Sequence, residues 1–297
     1  MSTGHAGKSG VSGSLSFSTG DATSRFDPNH SGHSGSISMN TGNAQGIGRG
    51  GSINLRVGTS TLADGDNVRI AAGEAKGASF IGGALHLTSG ASDYISGDVN
   101  LESASTTRDT SYGGSGAINI RTGSSERSGS GALNIETGDG LKGSPIQIKA
   151  GKSSERATSG GGVLIQGGEG SYKGNPYGSG DGGDLHLIGG ASNGRHLLND
   201  RAGNVIIDGG KSSGNGIGGS IRLRSGHGSI SGLIQLETLE ASMTEHDSGV
   251  VAIKTGPVSS GKSGDVTIET GKAAQDKGRS GTISVRLLSF SFSTLPN

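Results

Sequence analysis

The chain has 297 residues, of which 61 are glycine and only 29% are hydrophobic, which is too little apolar material for one globular core of that length. Its 25 basic and 25 acidic residues give a formal net charge of zero, so nothing in the charge balance predicts electrostatic capture of nucleic acid or of an anionic membrane. The chain contains no cysteine, so it forms neither disulfides nor cysteine metal sites.

The predicted elements, in chain order, are a lead-in, a repeat array and a tail. Residues 1–11 are predicted to be a truncated repeat or lead-in, because Thr3-Gly4 matches the end of a repeat. Residues 12–286 form the array, and residues 287–297 depart from the repeat and are more apolar. No apolar run reaches the roughly 18–20 residues that span a bilayer, and the first residues contain no hydrophobic segment of the signal-peptide type. We therefore expect no membrane insertion.

One short phrase recurs seventeen times in the array. This apolar phrase consists of two apolar residues with one residue between them. Glycine stands three positions after the second apolar residue in fourteen of the seventeen copies, and we call it the closing glycine. From Leu15 to Ile283 the copies are on average about 17 residues apart, a period typical of repeat architectures. The pairs are Leu15/Phe17, Ile37/Met39, Ile53/Leu55, Val68/Ile70, Leu85/Leu87, Val99/Leu101, Ile118/Ile120, Leu133/Ile135, Ile146/Ile148, Val163/Ile165, Leu185/Leu187, Val205/Ile207, Ile221/Leu223, Ile234/Leu236, Val251/Ile253, Val266/Ile268 and Ile283/Val285.

Alternation of this kind is typical of a strand with one buried face. The residue before the closing glycine shares the parity of the apolar pair and is nearly always small, as at Thr19, Ala150 and Gly167, and another small residue recurs two positions after that glycine. The pattern predicts an all-β fold: a single elongated parallel β-solenoid of about 17 short coils, with about 17 residues per coil and no helix apart from a terminal cap. The closing glycine is expected to turn a corner, with a positive φ.

The residue after each apolar phrase alternates in charge along two parts of the array. With one coil per repeat, opposite charges would stack about 4.8 Å apart, which is favourable. This favours a full coil per repeat over half of a two-stranded coil of about 34 residues, although a duplicated 34-residue unit would give the same alternation by ancestry. The residues are Glu102, Arg121, Glu136 and Lys149, and then Asp208, Arg224, Glu237, Lys254, Glu269 and Arg286.

Two segments are candidate contact surfaces. Extended inter-phrase segments of repeat arrays often bind partners, and one of them concentrates scarce aromatic residues. This candidate contact loop contains Tyr172, Lys173, Pro176 and Tyr177. The tail is the candidate end cap or docking segment, with Leu287, Leu288, Phe290, Phe292 and Leu295.

One segment, Gly256-Pro-Val-Ser-Ser-Gly261-Lys262-Ser263, matches the phosphate-loop pattern. A phosphate loop requires a helix after its lysine, because the helix N-terminus and successive N–H groups hold the phosphates. Here Val266 already begins another apolar phrase, so we expect no nucleotide site. No catalytic, cofactor-binding or metal-ligating set stands out, and the chain is predicted not to be an enzyme and to use no cofactor.

Units such as Ser115-Gly-Ala-Ile118-Asn-Ile120-Arg-Thr-Gly123 and Ser263-Gly-Asp-Val266-Thr-Ile268-Glu-Thr-Gly271 resemble glycine/serine-rich repeats of large surface proteins. They are similar to the repeats of filamentous-haemagglutinin-like and trimeric-autotransporter-head adhesins, and to repeat proteins of algae and large viruses. The resemblance covers residues 12–286 and implies a surface or fibre-forming role.

The leading hypothesis is a non-enzymatic structural or adhesive rod or fibre protein of an extracellular, cell or virion surface. Its partners would be further copies of the chain, end to end or laterally, or a glycan or other surface ligand. One alternative is a solenoid that binds ice or another ordered surface, because flat solenoids present regular threonine arrays. The other is a polysaccharide-active β-helix enzyme, which would need three or more convergent carboxylates on one face.

Overall fold

The computed structural model describes residues 2–6, 11–22, 32–76, 79–106, 114–126, 128–171, 180–194, 200–213, 215–241, 247–273 and 279–286. Within these ranges the chain forms no helix and no strand, only irregular structure with turns and bends. The prediction of an all-β parallel β-solenoid, or parallel β-helix, with coils of about 17 residues is therefore wrong. The physical reason is that no backbone ladder joins one apolar phrase to another among the described residues. Two units, Met1–Gly140 and Leu141–Asn297, make their contacts mainly within themselves.

The apolar phrases are partly exposed in a regular way. The first residue of the pair is 50–59% exposed in all seventeen copies, and the second is 58–71% exposed in every copy but the last. The residue between them is more exposed where it is apolar, as with Leu164 at 85% between Val163 at 52% and Ile165 at 58%. The alternation therefore survives as a difference in exposure. None of the described hydrophobic side chains is buried.

The least exposed described residues lie at two positions of the repeat. Every described residue of intermediate exposure stands either just before the closing-glycine position or two places after it. These are the two small-residue positions that the sequence pattern singled out. They are Ser89, Ser103, Ala150, Gly167 and Gly189 before it, and Ser153, Gly170, Ser212 and Ala241 after it.

Backbone hydrogen bonds close the loops between successive phrases. We call the glycine two residues before a phrase the opening glycine. In each bond, the N–H of an opening glycine donates to the carbonyl oxygen of the preceding closing glycine. Such a bond brings the ends of the intervening segment together, as in an Ω-loop. The seven bonds among the described residues are Gly83 to Gly73, Gly97 to Gly90, Gly161 to Gly151, Gly183 to Gly168, Gly203 to Gly190, Gly219 to Gly210 and Gly232 to Gly226, with N···O distances of 2.8–3.1 Å.

Other loops are closed by a threonine side chain. The hydroxyl of Thr19 donates to the carbonyl oxygen of Gly35 at 3.1 Å, and that of Thr41 donates to the carbonyl oxygen of Gly51 at 3.2 Å. Thr238 also packs against its opening glycine, because a Cβ built on Gly249 would lie 3.2 Å from Cγ2 of Thr238.

The residue before the closing glycine separates these two kinds of closure. It is Ala, Ser or Gly in all seven loops closed by a backbone bond, and it is Thr in the loops closed by a side chain. A β-branched side chain holds the two backbones apart, whereas a small residue lets the N–H reach the carbonyl. At Gly167 the two backbones lie so close together that even an added Cβ would overlap the carbonyl oxygen of Gly183.

The chain changes direction within the loops and not at the closing glycines. Turns and bends lie between a closing position and the next phrase, at residues 46–47, 61–63, 79, 93–94, 126, 128, 141–142, 155–157, 215, 228–230 and 259–261. Among the described residues a positive φ occurs at Gly46, Ala157 and Gly261, none of which is a closing glycine. The expectation that the closing glycine turns the corner is therefore wrong. A Cβ added at a described closing glycine would meet no atom within 4 Å, and the close approaches lie at the residue before it, as at Gly167, and at the opening glycine, as at Gly219.

We expect Gly167→Ala to break the Gly183 to Gly168 hydrogen bond, because the new Cβ would overlap the carbonyl oxygen of Gly183. One backbone hydrogen bond contributes about 1 kcal/mol net, so the Gly183 amide should exchange with solvent about five times faster. The matched control is Gly168→Ala, whose Cβ would meet no atom within 4 Å. Equal exchange rates at Gly183 in the two variants would contradict this account.

We expect Ala150→Thr to convert a backbone closure into a side-chain closure. The Gly161 amide, which now donates to Gly151 at 3.0 Å, should lose its protection against hydrogen exchange because the added methyl group separates the two backbones. Ala150→Ser is the control and should keep the bond, since the loops after Ser89 and Ser225 are closed by the backbone. Retained protection in the threonine variant would count against the rule.

Candidate functional site

The residues singled out from the sequence as contact sites lie outside the described part of the chain. This holds for Tyr172, Lys173, Pro176 and Tyr177 of the candidate contact loop. It also holds for the tail residues Leu287, Leu288, Phe290, Phe292 and Leu295. Both roles stay predictions.

The base of the candidate contact loop is described. The Gly183 N–H donates to the carbonyl oxygen of Gly168 at 2.9 Å, so the fourteen residues between them begin and end at one point. A second approach lies just inside, where a Cβ on Gly170 would overlap the carbonyl oxygen of Asp181. Two close backbone contacts therefore fix the ends of the segment that contains the tyrosines.

The phosphate-loop-like segment does not have the structure of a nucleotide site. Nζ of Lys262 lies 3.1 Å from Oδ2 of Asp265, and both side chains are largely exposed. The chain bends at 259–261, with φ of +105° at Gly261, and no helix follows within the described residues 264–273. The ammonium group that a phosphate would need is paired with a carboxylate instead.

The recurrent threonines bear on the ice-binding alternative. At Thr19 and Thr41 the hydroxyl donates its proton to a carbonyl oxygen of the same chain. These hydroxyls act in loop closure and do not form an outward-facing array.

A groove lies beside the loop that begins at the closing glycine Gly123. It is lined by Arg121, Thr122, Gly123 and Ser124. A Cβ built on the opening glycine of that loop, Gly131, would meet no atom within 4 Å. A guanidinium group beside two hydroxyls can bind a carboxylate or sulfate, but no buried polar group supports such a site here.

Titratable side chains do not converge within the described residues. No group of three or more His, Asp or Glu side chains there could hold a metal ion. Among the described residues Lys262 forms an ion pair with Asp265 at 3.1 Å, and Nε2 of His186 lies 3.9 Å from Oδ2 of Asp184, a contact that is ionic only with a charged imidazole. Exposed pairs of this kind contribute about 0–1 kcal/mol to stability. No helix capable of spanning a bilayer occurs among the described residues.

The surface that recurs along the chain is the apolar phrase itself. Its two apolar side chains are about half exposed, and its backbone N–H and C=O groups make no backbone hydrogen bond among the described residues. A charged side chain follows the phrase in many copies and is exposed in each. The apolar phrase with its following residue is therefore the candidate interaction surface. Sequence reasoning found both parts but assigned them to the interior and to stacking within one chain.

Comparisons with known proteins give no match: no protein-family model, no curated protein and no solved structure matches this chain.

We expect Mg-ATP to cause no shift in the amide resonances of residues 256–265 beyond that produced by sodium phosphate at the same ionic strength. The reason is that the Lys262 ammonium is paired with Asp265 and no helix N-terminus faces it. Asp265→Ala, which frees the lysine, is the comparison variant and should behave in the same way. Saturable shifts confined to this segment in the native chain would show that the expectation is wrong.

Proposed function

We propose that this chain is a non-enzymatic structural or adhesive protein, displayed outside a cell or on a virion, that works through its apolar phrases. The observation that carries the proposal is the half-exposed first residue of the apolar pair in all seventeen copies. A large exposed apolar surface is typical of proteins that associate with other macromolecules. Here that surface is divided into many equivalent small units, which suits multivalent contact more than binding of one small molecule.

The accessible surface supports the same proposal. It amounts to 31,608 Å² for a chain of 29.3 kDa. A folded monomer of that mass would expose roughly 11,500 Å² by the usual scaling. A structural or adhesive protein can cover such surface through its partners, whereas an enzyme needs a shielded site of its own.

The expected location and partners follow from the sequence. The resemblance of residues 12–286 to glycine/serine-rich repeat adhesins supports a surface location. The balanced charge supports partners other than nucleic acid. Further copies of the chain and surface glycans are the partners that the proposal includes.

We expect the protein to be labelled when intact cells or virions of its source are treated with a membrane-impermeant biotin ester. The ester reacts with lysine amines, and described lysines such as Lys142, Lys149 and Lys254 are exposed, so accessibility would not limit the reaction. A cytoplasmic protein from the same sample is the control. Labelling only after lysis would contradict the surface location.

A further inference from the structure

The apolar phrases present two unused kinds of contact. All seven backbone hydrogen bonds between described residues lie at the loop closures, so the phrases offer free N–H and C=O groups. Their apolar pairs are about half exposed at the same positions. Unpaired backbone groups beside exposed apolar side chains can pair with another chain.

The charge that follows each phrase obeys a strict parity. Counting Leu15/Phe17 as the first copy, the residue after the phrase is charged in eleven copies. It is acidic only in even copies (Glu102, Glu136, Asp208, Glu237 and Glu269) and basic only in odd copies (Arg56, Arg121, Lys149, Arg224, Lys254 and Arg286).

These charges are not paired with opposite charges among the described residues. All eleven are exposed, and no ion pair between described residues involves any of them. The amide of Gln235 donates a hydrogen bond to Oε2 of Glu237 at 2.7 Å, which leaves the charge of Glu237 in place. The alternation that predicted stacking inside one chain therefore finds no charged partner in the part of the chain that the structure describes.

The parity identifies the partner and its register. A partner of one charge sign, such as nucleic acid or an acidic polysaccharide, would meet attraction and repulsion in turn. A second copy carries the same phrases, and the unequal segments between them can be taken up in the closed loops, so a shift by a whole number of repeats can keep apolar pairs opposite each other. Only an odd shift places acids on bases, because an even shift, including zero, places like charges together.

We propose that the apolar phrases bind a second copy of this chain, displaced by an odd number of repeats, with one repeat giving the greatest overlap. This inference rests on the proposed structural or adhesive function and names its partner. The rule holds for both chain orientations. In a full-overlap antiparallel pair of seventeen copies, even copies would again face even copies, so that arrangement is excluded too.

Charge variants test the parity. The all-basic variant contains Glu102→Lys, Glu136→Lys, Asp208→Lys, Glu237→Lys and Glu269→Lys. It should bind itself more than about tenfold more weakly than the native chain at low ionic strength, because like charges then meet at every shift. The sign-swapped control adds Arg56→Glu, Arg121→Glu, Lys149→Glu, Arg224→Glu, Lys254→Glu and Arg286→Glu. It keeps the parity and should associate as the native chain does in sedimentation velocity.

Disulfide cross-linking tests the register, because the native chain has no cysteine. Single variants Asn119→Cys, Asn134→Cys and Gln147→Cys place a thiol in three successive phrases, at the residue between the apolar pair. Mixtures of Asn119→Cys with Asn134→Cys, or of Asn134→Cys with Gln147→Cys, join copies of opposite parity and should cross-link several-fold faster. Asn119→Cys alone, and its mixture with Gln147→Cys, join copies of the same parity and should cross-link slowly.

Each outcome decides the matter. Faster cross-linking of opposite-parity pairs, together with loss of association in the all-basic variant, supports the inference. Three outcomes overturn it. They are cross-linking mainly between cysteines in the same copy or in copies two repeats apart, equal association of the native chain and both charge variants, and a native chain that is monomeric. Surface labelling tests the function separately: a labelled protein that does not self-associate defeats this inference alone, and an odd-register assembly found only inside cells defeats the proposed function.

Discussion

The distance at which two backbones can approach at each loop closure is the constraint on which this structure depends. Where the residue before the closing glycine is Ala, Ser or Gly, an N–H reaches a carbonyl, and at Gly167 even one added carbon would prevent it. Where the residue is Thr, as at Thr19 and Thr41, the side chain keeps the backbones apart and supplies the donor itself. Glycines such as Gly167, Gly189 and Gly209 are thus required for close approach, because a Cβ there would overlap a carbonyl oxygen.

The apolar phrases lie between these closures and remain about half exposed. Burial of two apolar residues does not offset the cost of ordering a repeat of about 17 residues, because backbone ordering costs about 1–2 kcal/mol per residue. The described chain accordingly closes its loops locally and leaves the phrases half exposed. A partner that binds many phrases at once would gain from multivalency what a single repeat lacks, since later contacts form at high effective concentration.

The sequence predicted which side chains are equivalent but not how the backbone is paired. Period and alternation identified the apolar pairs, the small positions at Ala150 and Gly167, and the absence of a helix after Lys262, all of which agree with the described structure. Alternation reports only which residues share a face; ladder formation depends on a balance of ordering cost and burial that no pattern contains. The loop closures could have been foreseen, because a Ser-Gly or Gly-Gly pair regularly stands before a phrase and a closing glycine after it.

The local character of the closures has a consequence for how the chain could change over time. The bond from Gly232 to Gly226 spans five intervening residues, and the bond from Gly183 to Gly168 spans fourteen, yet the N···O distances are 3.1 and 2.9 Å. A closed loop can therefore gain or lose residues without moving the phrases on either side, at an entropic cost that grows only with the logarithm of loop length. Evolution can diversify each loop as an independent insertion site, and an engineer can use the same positions to display foreign peptides.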